Sequence, residues 1–283
     1  MERRRFQRIY VEILTQCNLH CPFCPPTGRA RRTMTAEEFD HVRSQAQPYA
    51  NYVYLHVRGE PLLHPELADI LESCKNRSFF ANLTTNGTLL PQRQELLLAA
   101  PALRQVNVSL HSFGGKPQAE QAYLQGVLRF AAAAVGAGKA VALRLWNMGG
   151  DDETDRLRDK NRLLLDEVDR FFHTGPIEDV LHGSRGLRIG EKLYLNHGVQ
   201  FEWPTLEAPE VGETGFCMGG RTQLAVLADG TVVPCCLDAE GNIPLGNVLK
   251  TPLSDILASP RLTAMTEGFD RRNVVEPLCR RCS

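Results

Sequence analysis

Up to about residue 200 the chain alternates short β-rich runs with amphipathic or alanine-rich helical stretches, which confines it to βα units around a parallel sheet. Runs at 9–14, 52–57, 79–84, 105–110 and 141–146 predict five strands, and a sixth is expected around 192–201. Helices fall between them. Thr35 with Glu38 three residues on forms a capping box, Met34 can staple onto Phe39, and Pro61, Pro65 and Pro91 punctuate the next two helical starts. Parallel α/β folds bind ligands at the carboxyl ends of their strands. The residues at those ends are polar and specific: Cys17, Cys21 and Cys24 after the first run, Arg58-Gly59-Glu60-Pro61 after the second, Thr85-Asn86-Gly87 after the third, Ser109 and His111 at the fourth, Arg144 and Asn147 at the fifth.

The first cysteine set has C-x3-C-x2-C spacing and offers three thiolates, not four. Structural zinc and electron-carrying cubanes want four protein ligands, so three leave one metal open to an exogenous ligand. Nine cysteines without an export signal argue for metal binding in a reducing compartment rather than a disulfide framework, and the chain is expected to be cytoplasmic. Met1–Arg5 is basic but lacks the apolar stretch of a signal peptide, and no run reaches membrane-spanning length. With 32 Lys and Arg against 33 Asp and Glu, the net charge of -1 gives no general field for nucleic acid or an anionic membrane. Cys74 stands apart, sharing a helical face with Leu67, Ile70 and Leu71, and reads as core packing.

From about Glu202 the texture changes. A hairpin turning at Asp229-Gly230 leads to Cys235 and Cys236, Thr251 and Pro252 open a short helix, and Cys279-x2-Cys282 ends the tail. Together with Cys217 these cysteines suffice for a site of four thiolates. Zinc is a rival at both sets, at the first with a distant ligand such as His20 or His41. Glu60 can also be read as a carboxylate at a helix start, and Asn86 and Ser109 as turn caps. The Arg29-Ala-Arg31-Arg32 run could steady an anionic substrate or form a solvated loop face, while Trp203 and Pro204 could line a pocket or simply pack.

The run Cys17-Asn-Leu-His-Cys21-Pro-Phe23-Cys24 resembles the signature of the radical S-adenosylmethionine (SAM) superfamily, with Phe23 as the aromatic residue before the third cysteine. The resemblance implies that Cys17, Cys21 and Cys24 hold a 4Fe-4S cluster whose fourth iron is chelated by SAM. It assigns Gly59 and Glu60 to the motif that receives the SAM amino group, with Arg58 replacing the first glycine of the commonest form. Phe23, Asn86, Ser109 and Arg144 complete the implied SAM contacts. The tail resembles the SPASM or twitch extension, implying one auxiliary 4Fe-4S cluster on Cys217, Cys235, Cys279 and Cys282, with Cys236 spare. The implied architecture is a partial (β/α)6 barrel over residues 1–200 and a small iron-sulfur domain over 201–283.

The implied activity is reductive SAM cleavage and hydrogen abstraction, with a flavodoxin- or ferredoxin-type protein as reductant. A small-molecule substrate is expected, because no N-terminal peptide-recognition domain is evident, and two stretches resemble lyases acting on the deazapurine queuine. The alternatives are a SPASM/twitch dehydrogenase, a peptide-modifying radical SAM enzyme and, outside enzymes, a zinc-binding or ferredoxin-like module.

Overall fold

The computed structural model describes residues 6–75, 79–114, 116–150, 153–177, 181 and 186–282, so the basic start lies outside the described residues. The fold is mixed α/β, on a large sheet rich in parallel pairs that stays open rather than closing on itself. The chain divides into two compact units, Met1–Asn82 with Glu202–Ser283 and Leu83–Phe201. Strand β3 (Phe80–Thr85) contains the first division.

In the first unit, β1 (Arg8–Val11) lies parallel to both β2 (Tyr52–Leu55) and β8 (Gln223–Val226), with Ile9 opposite Val53 on one side and Leu224 on the other. The C-terminal hairpin is therefore sewn to the first strand of the chain. β9 (Thr231–Val233) returns antiparallel to β8 and is followed outward by β10 (Gly246–Asn247). Gly230 sits at φ +86° in the turn, and the Thr231 N–H donates to Asp229 Oδ1 at 3.0 Å. That left-handed backbone is why the Asp-Gly pair marks the hairpin.

Helix α1 (Ala36–Ala46) begins at the capping box: Thr35 accepts from the Glu38 N–H, and the Glu38 carboxylate accepts from the Thr35 N–H. Met34 and Phe39 are both fully buried there. Helix α2 (Leu67–Lys75) buries Leu67, Ile70, Leu71 and Cys74, and burial pushes the Cys74 thiol up to about 12. The tail helix Leu253–Leu257 starts just after Pro252, and its cap differs from the Thr251 expectation: the Leu253 N–H donates to Gln45 Oε1 at 3.2 Å. A second tail helix, Pro260–Asp270, is capped by Ser259.

The second unit runs α3 (Leu90–Ala99), β4 (Leu103–Ser109), α4 (Pro117–Gly136), β5 (Ala140–Leu145), α5 (Asp155–Phe172), β6 (Gly186–Gly190) and β7 (Leu193–His197). β5 is parallel to β4 and β7, and β6 folds back antiparallel on β7. The expected sixth strand is thus β7, shortened, with a partner strand ahead of it.

Alternation along the strands separates two sets of side chains. Ile9, Val11, Val53, Leu55, Val106, Val108, Val141 and Leu143 are buried and apolar. Burying each contributes about 1.5–3 kcal/mol relative to exposure. The intervening positions carry Tyr10, Glu12, Tyr54 and His56 in the first unit, and Asn107, Ser109 and Arg144 in the second. Among the described residues, no helix is long and apolar enough to cross a membrane.

Candidate functional site

The three-cysteine loop leaves the sheet just past β1 and returns to α1 through a pinched neck. Leu14 bridges Thr33, the Thr15 N–H donates to the Arg32 carbonyl at 3.0 Å, and the Met34 N–H donates to the Ile13 carbonyl at 2.9 Å. Cys17, Cys21 and Cys24 line one cavity of about 730 Å³ together with Gln16, His20, Arg31, Arg58 and Gly59. Within the loop the Leu19 N–H points at Cys17 Sγ at 3.4 Å, and the Cys24 N–H donates to the Cys21 carbonyl at 3.0 Å. N–H donors aimed at sulfur favour thiolate and are a recurrent feature of cluster ligation.

Two arginines of the Arg29–Arg32 run have protein partners. Arg29 makes a bidentate pair with Glu12, at 2.6 and 2.8 Å, and Glu12 is fully buried and also accepts the Ala228 N–H at 3.0 Å. Arg32 pairs with Glu38, while Arg31 faces the cavity. His41, considered as a zinc ligand, bonds the Val248 carbonyl at 3.1 Å.

The Arg58-Gly59-Glu60 turn docks against the neck. Gly59 has φ +74°, and a Cβ there would lie 2.2 Å from the Leu14 carbonyl oxygen, so close backbone approach requires glycine. The Glu60 N–H donates to the Gln16 carbonyl at 2.8 Å, and its buried carboxylate accepts the Leu62 N–H at 3.0 Å as cap of the turn Pro61–Leu63. Arg58 directs one nitrogen to Cys24 Sγ at 3.8 Å and another to Glu240 Oε1 at 2.6 Å, and lies over the Trp203 ring at 5.6 Å from its centroid. Phe23 is partly buried between Cys21 and Cys24 in the chain.

In the second unit Asn86 Oδ1 accepts from the Thr88 N–H and hydroxyl at 3.0 and 2.7 Å, and the Asn86 carbonyl accepts the Tyr123 hydroxyl at 2.7 Å. Asn86 therefore shapes its own turn. Ser109 and Arg144 stand opposite one another on β4 and β5. His111 Nδ1 lies 3.2 Å from the Arg144 carbonyl, and burial holds its pKa below the usual histidine range, with the nearby guanidinium acting in the same direction against that hydrogen bond.

Cys217, Cys235, Cys279 and Cys282 line a second cavity, of about 310 Å³, walled by Phe216, Phe269, Val274 and Leu278. The Gly219 N–H points at Cys217 Sγ at 3.3 Å. Burial pushes the Cys279 thiol up to about 12 and raises those of Cys235 and Cys282. Such thiols stay protonated unless a strongly positive centre compensates, and iron does so. Cys236 turns away to pack with the apolar cluster of Tyr10, Leu227 and Val233. The C-terminal knuckle is anchored by Arg280 to Glu213 at 2.7 Å and the Val274 carbonyl at 2.9 Å, and by Arg281 to the Ala208 carbonyl at 2.8 Å.

Among the described residues, no group of three or more His, Cys, Asp or Glu side chains is placed to hold a metal ion directly. A cluster is a cage, and its ligands stand farther apart than those around one ion; each cavity gathers one whole set of assigned cysteines. The residues fit such a group at both places.

Sequence reasoning missed Glu12 and Glu240. Glu12 carries a signal, a lone carboxylate inside an apolar run; Glu240, in an Asp-Ala-Glu-Gly turn, carries none.

Comparison with known proteins finds matches at both regions. Residues 11–161 match the radical SAM superfamily, and residues 217–283 match SPASM, an iron-sulfur cluster-binding domain. The PqqA peptide cyclase of Streptomyces rochei is 26% identical over 284 residues, spanning 89% of this chain and 75% of that protein. The crystal structure of BtrN in complex with AdoMet and 2-DOIA superposes with a TM-score of 0.60 at 17% identity, covering 100% of this chain and 94% of BtrN. Streptococcus suis SuiB bound to precursor peptide SuiA gives 0.61 at 16% identity, over 93% of this chain and 67% of SuiB.

Proposed function

This chain belongs to the radical SAM superfamily and carries a C-terminal SPASM domain, and from that premise we propose a two-cluster enzyme that takes a hydrogen atom from a small polar substrate. The observation that carries this reading is the segregation of the cysteines, three lining one cavity and four lining another. When bound, the cluster and SAM supply one-electron cleavage of SAM and a radical competent for hydrogen abstraction. Cys17, Cys21 and Cys24 hold the first cluster, and the neck at Leu14–Thr33 fixes their loop to the sheet. Phe23, Gly59 and Glu60 serve SAM beside them, and Asn86, Ser109 and Arg144 keep the SAM roles that the resemblance gives them. Cys217, Cys235, Cys279 and Cys282 hold the auxiliary cluster, whose four thiolates suit electron transfer or structural support. A low-potential flavodoxin- or ferredoxin-type protein supplies the electron.

The substrate class is supported by the side chains between the apolar strand positions. Tyr10, Tyr54 and His56 form a ring cluster with centroids 5.2–6.4 Å apart, in which Tyr10 is buried in the apolar cluster and the Tyr54 and His56 rings remain partly exposed. Aromatic faces with polar tips suit a flat, polar heterocycle. A deazapurine of the queuine type, cleaved in a lyase reaction, is the first candidate, and an alcohol dehydrogenated by an oxidoreductase the second. A peptide substrate is the competing reading, favoured by the match to a peptide cyclase along 89% of the chain. Deuterated candidates of all three kinds, incubated with the anaerobically reconstituted enzyme and SAM, decide the matter: label is expected in 5′-deoxyadenosine from a heterocycle or alcohol, and label from peptides alone would overturn the small-substrate reading.

The division of labour between the cysteine sets has its own measurable consequence. Cys279→Ala is expected to lower bound iron from about eight to about four per chain by the two-cubane count, while SAM cleavage uncoupled from substrate persists. Complete loss of cleavage with the first cluster still loaded would contradict it.

A further inference from the structure

Arg58 stands where the commonest form of its motif has glycine, and the structure gives the substitution a task. Its side chain is buried, so water screens its charge little. A guanidinium stays charged at any working pH and presents its donors as a fixed fork. One arm reaches Cys24 Sγ at 3.8 Å, and the other is held by Glu240 Oε1 at 2.6 Å. The second oxygen of Glu240 accepts the Thr27 hydroxyl and the Gly28 N–H, both at 3.1 Å. Glu240 belongs to the tail, four residues beyond Cys236, and Thr27 and Gly28 close the loop that carries Cys24. The Trp203 face, also from the tail, backs the guanidinium.

We propose that Arg58, oriented by Glu240 and Trp203, is a positioning residue that raises the reduction potential of the first cluster through Cys24, and that the tail thereby helps set how readily that cluster is reduced. The inference rests on Cys24 being a cluster ligand. One electron from a donor protein of the flavodoxin or ferredoxin class adds one negative charge to the cluster and its sulfurs, with no bond made or broken at Arg58. A cation hydrogen-bonded to a ligand sulfur stabilises the reduced form more than the oxidised form, so the potential rises. Glu240 has two opposed effects: its negative charge offsets part of the guanidinium, while its two hydrogen bonds hold the loop against Arg58.

The test is an EPR-monitored redox titration of the anaerobically reconstituted full chain, following the signal that changes on adding SAM. Arg58→Gln is expected to move that potential to more negative values with iron content unchanged. Arg58→Lys, which keeps the charge but loses the fork, should move it the same way by less. Glu240→Gln removes the offsetting charge and leaves one acceptor oxygen for the two sides that Glu240 serves, so its shift with Arg58 present should differ from its shift in the Arg58→Gln background. An unmoved or more positive potential in fully loaded Arg58→Gln overturns the inference. Should Arg58→Gln fail to load iron, Arg58→Lys decides alone, and an unmoved or more positive potential there overturns it. Cys24→Ala separates this from the underlying assignment: a SAM-responsive signal that survives in that variant refutes the ligand reading itself.

Discussion

Replacing Cys24 with alanine is expected to reduce SAM cleavage to the level of a reaction without enzyme. Removal of one thiolate from a three-thiolate set leaves two, too few to retain a cluster that already depends on SAM for its fourth iron. Bound iron should fall from about eight to about four per chain by the two-cubane count, with the remaining iron in the tail. The loss should be specific to the cofactor. Cys24 is exposed, and its backbone bond to Cys21 does not depend on the side chain. Arg58 loses its contact with Cys24 Sγ but keeps Glu240, so the thermal stability of the iron-free chain should fall by no more than about 1 kcal/mol, the net worth of one hydrogen bond. Iron content together with 5′-deoxyadenosine yield checks the result, and a variant that keeps all its iron and cleaves SAM would remove Cys24 from the ligand set.

The cysteine sets, the strands and the hairpin were legible in the sequence because each depends on local pattern. Spacing alone groups Cys17 with Cys21 and Cys24, short β-rich runs mark β1 and β5, and Asp229-Gly230 announces its own turn. The partnership of β8 with β1 was not legible, since more than two hundred residues separate Ile9 from Leu224 and nothing in either strand names the other. The same long separation hid Glu240, whose neighbours in the turn are ordinary loop residues and whose partners Arg58, Thr27 and Gly28 lie far back in the chain. Arg58 itself was visible only as a departure from a motif. Its contacts with Cys24 and Trp203 turn that departure into a physical feature. The cap of the helix Leu253–Leu257 shows the limit from the other side: local rules point to Thr251, but a tertiary neighbour, Gln45, supplies the acceptor.

Glu12→Ala is expected to be among the most destabilising single substitutions in the first unit. The carboxylate is fully buried and bears three hydrogen bonds, two from the Arg29 fork and one from the Ala228 N–H. Its removal leaves a mostly buried guanidinium without its counter-charge and a buried amide without its acceptor, a loss of about 3 kcal/mol at the lower end for a broken buried pair, because Arg29 retains some access to water. For a chain of this size that corresponds to a Tm lowered by roughly 6–12 °C. A drop below about 1 kcal/mol would mean that water reaches the vacated position and takes over the partners. The pair also has a positional role that stability alone does not measure, because Arg29 ties the three-cysteine loop to the end of β1. Glu12→Leu combined with Arg29→Met removes both charges together and should recover much of the lost stability, as apolar replacements of buried ion pairs often do. If the pair's further role is to hold the loop, that double variant will fold and still load its first cluster poorly. Full stability with full iron would show that the neck at Leu14 and Thr33 is sufficient by itself.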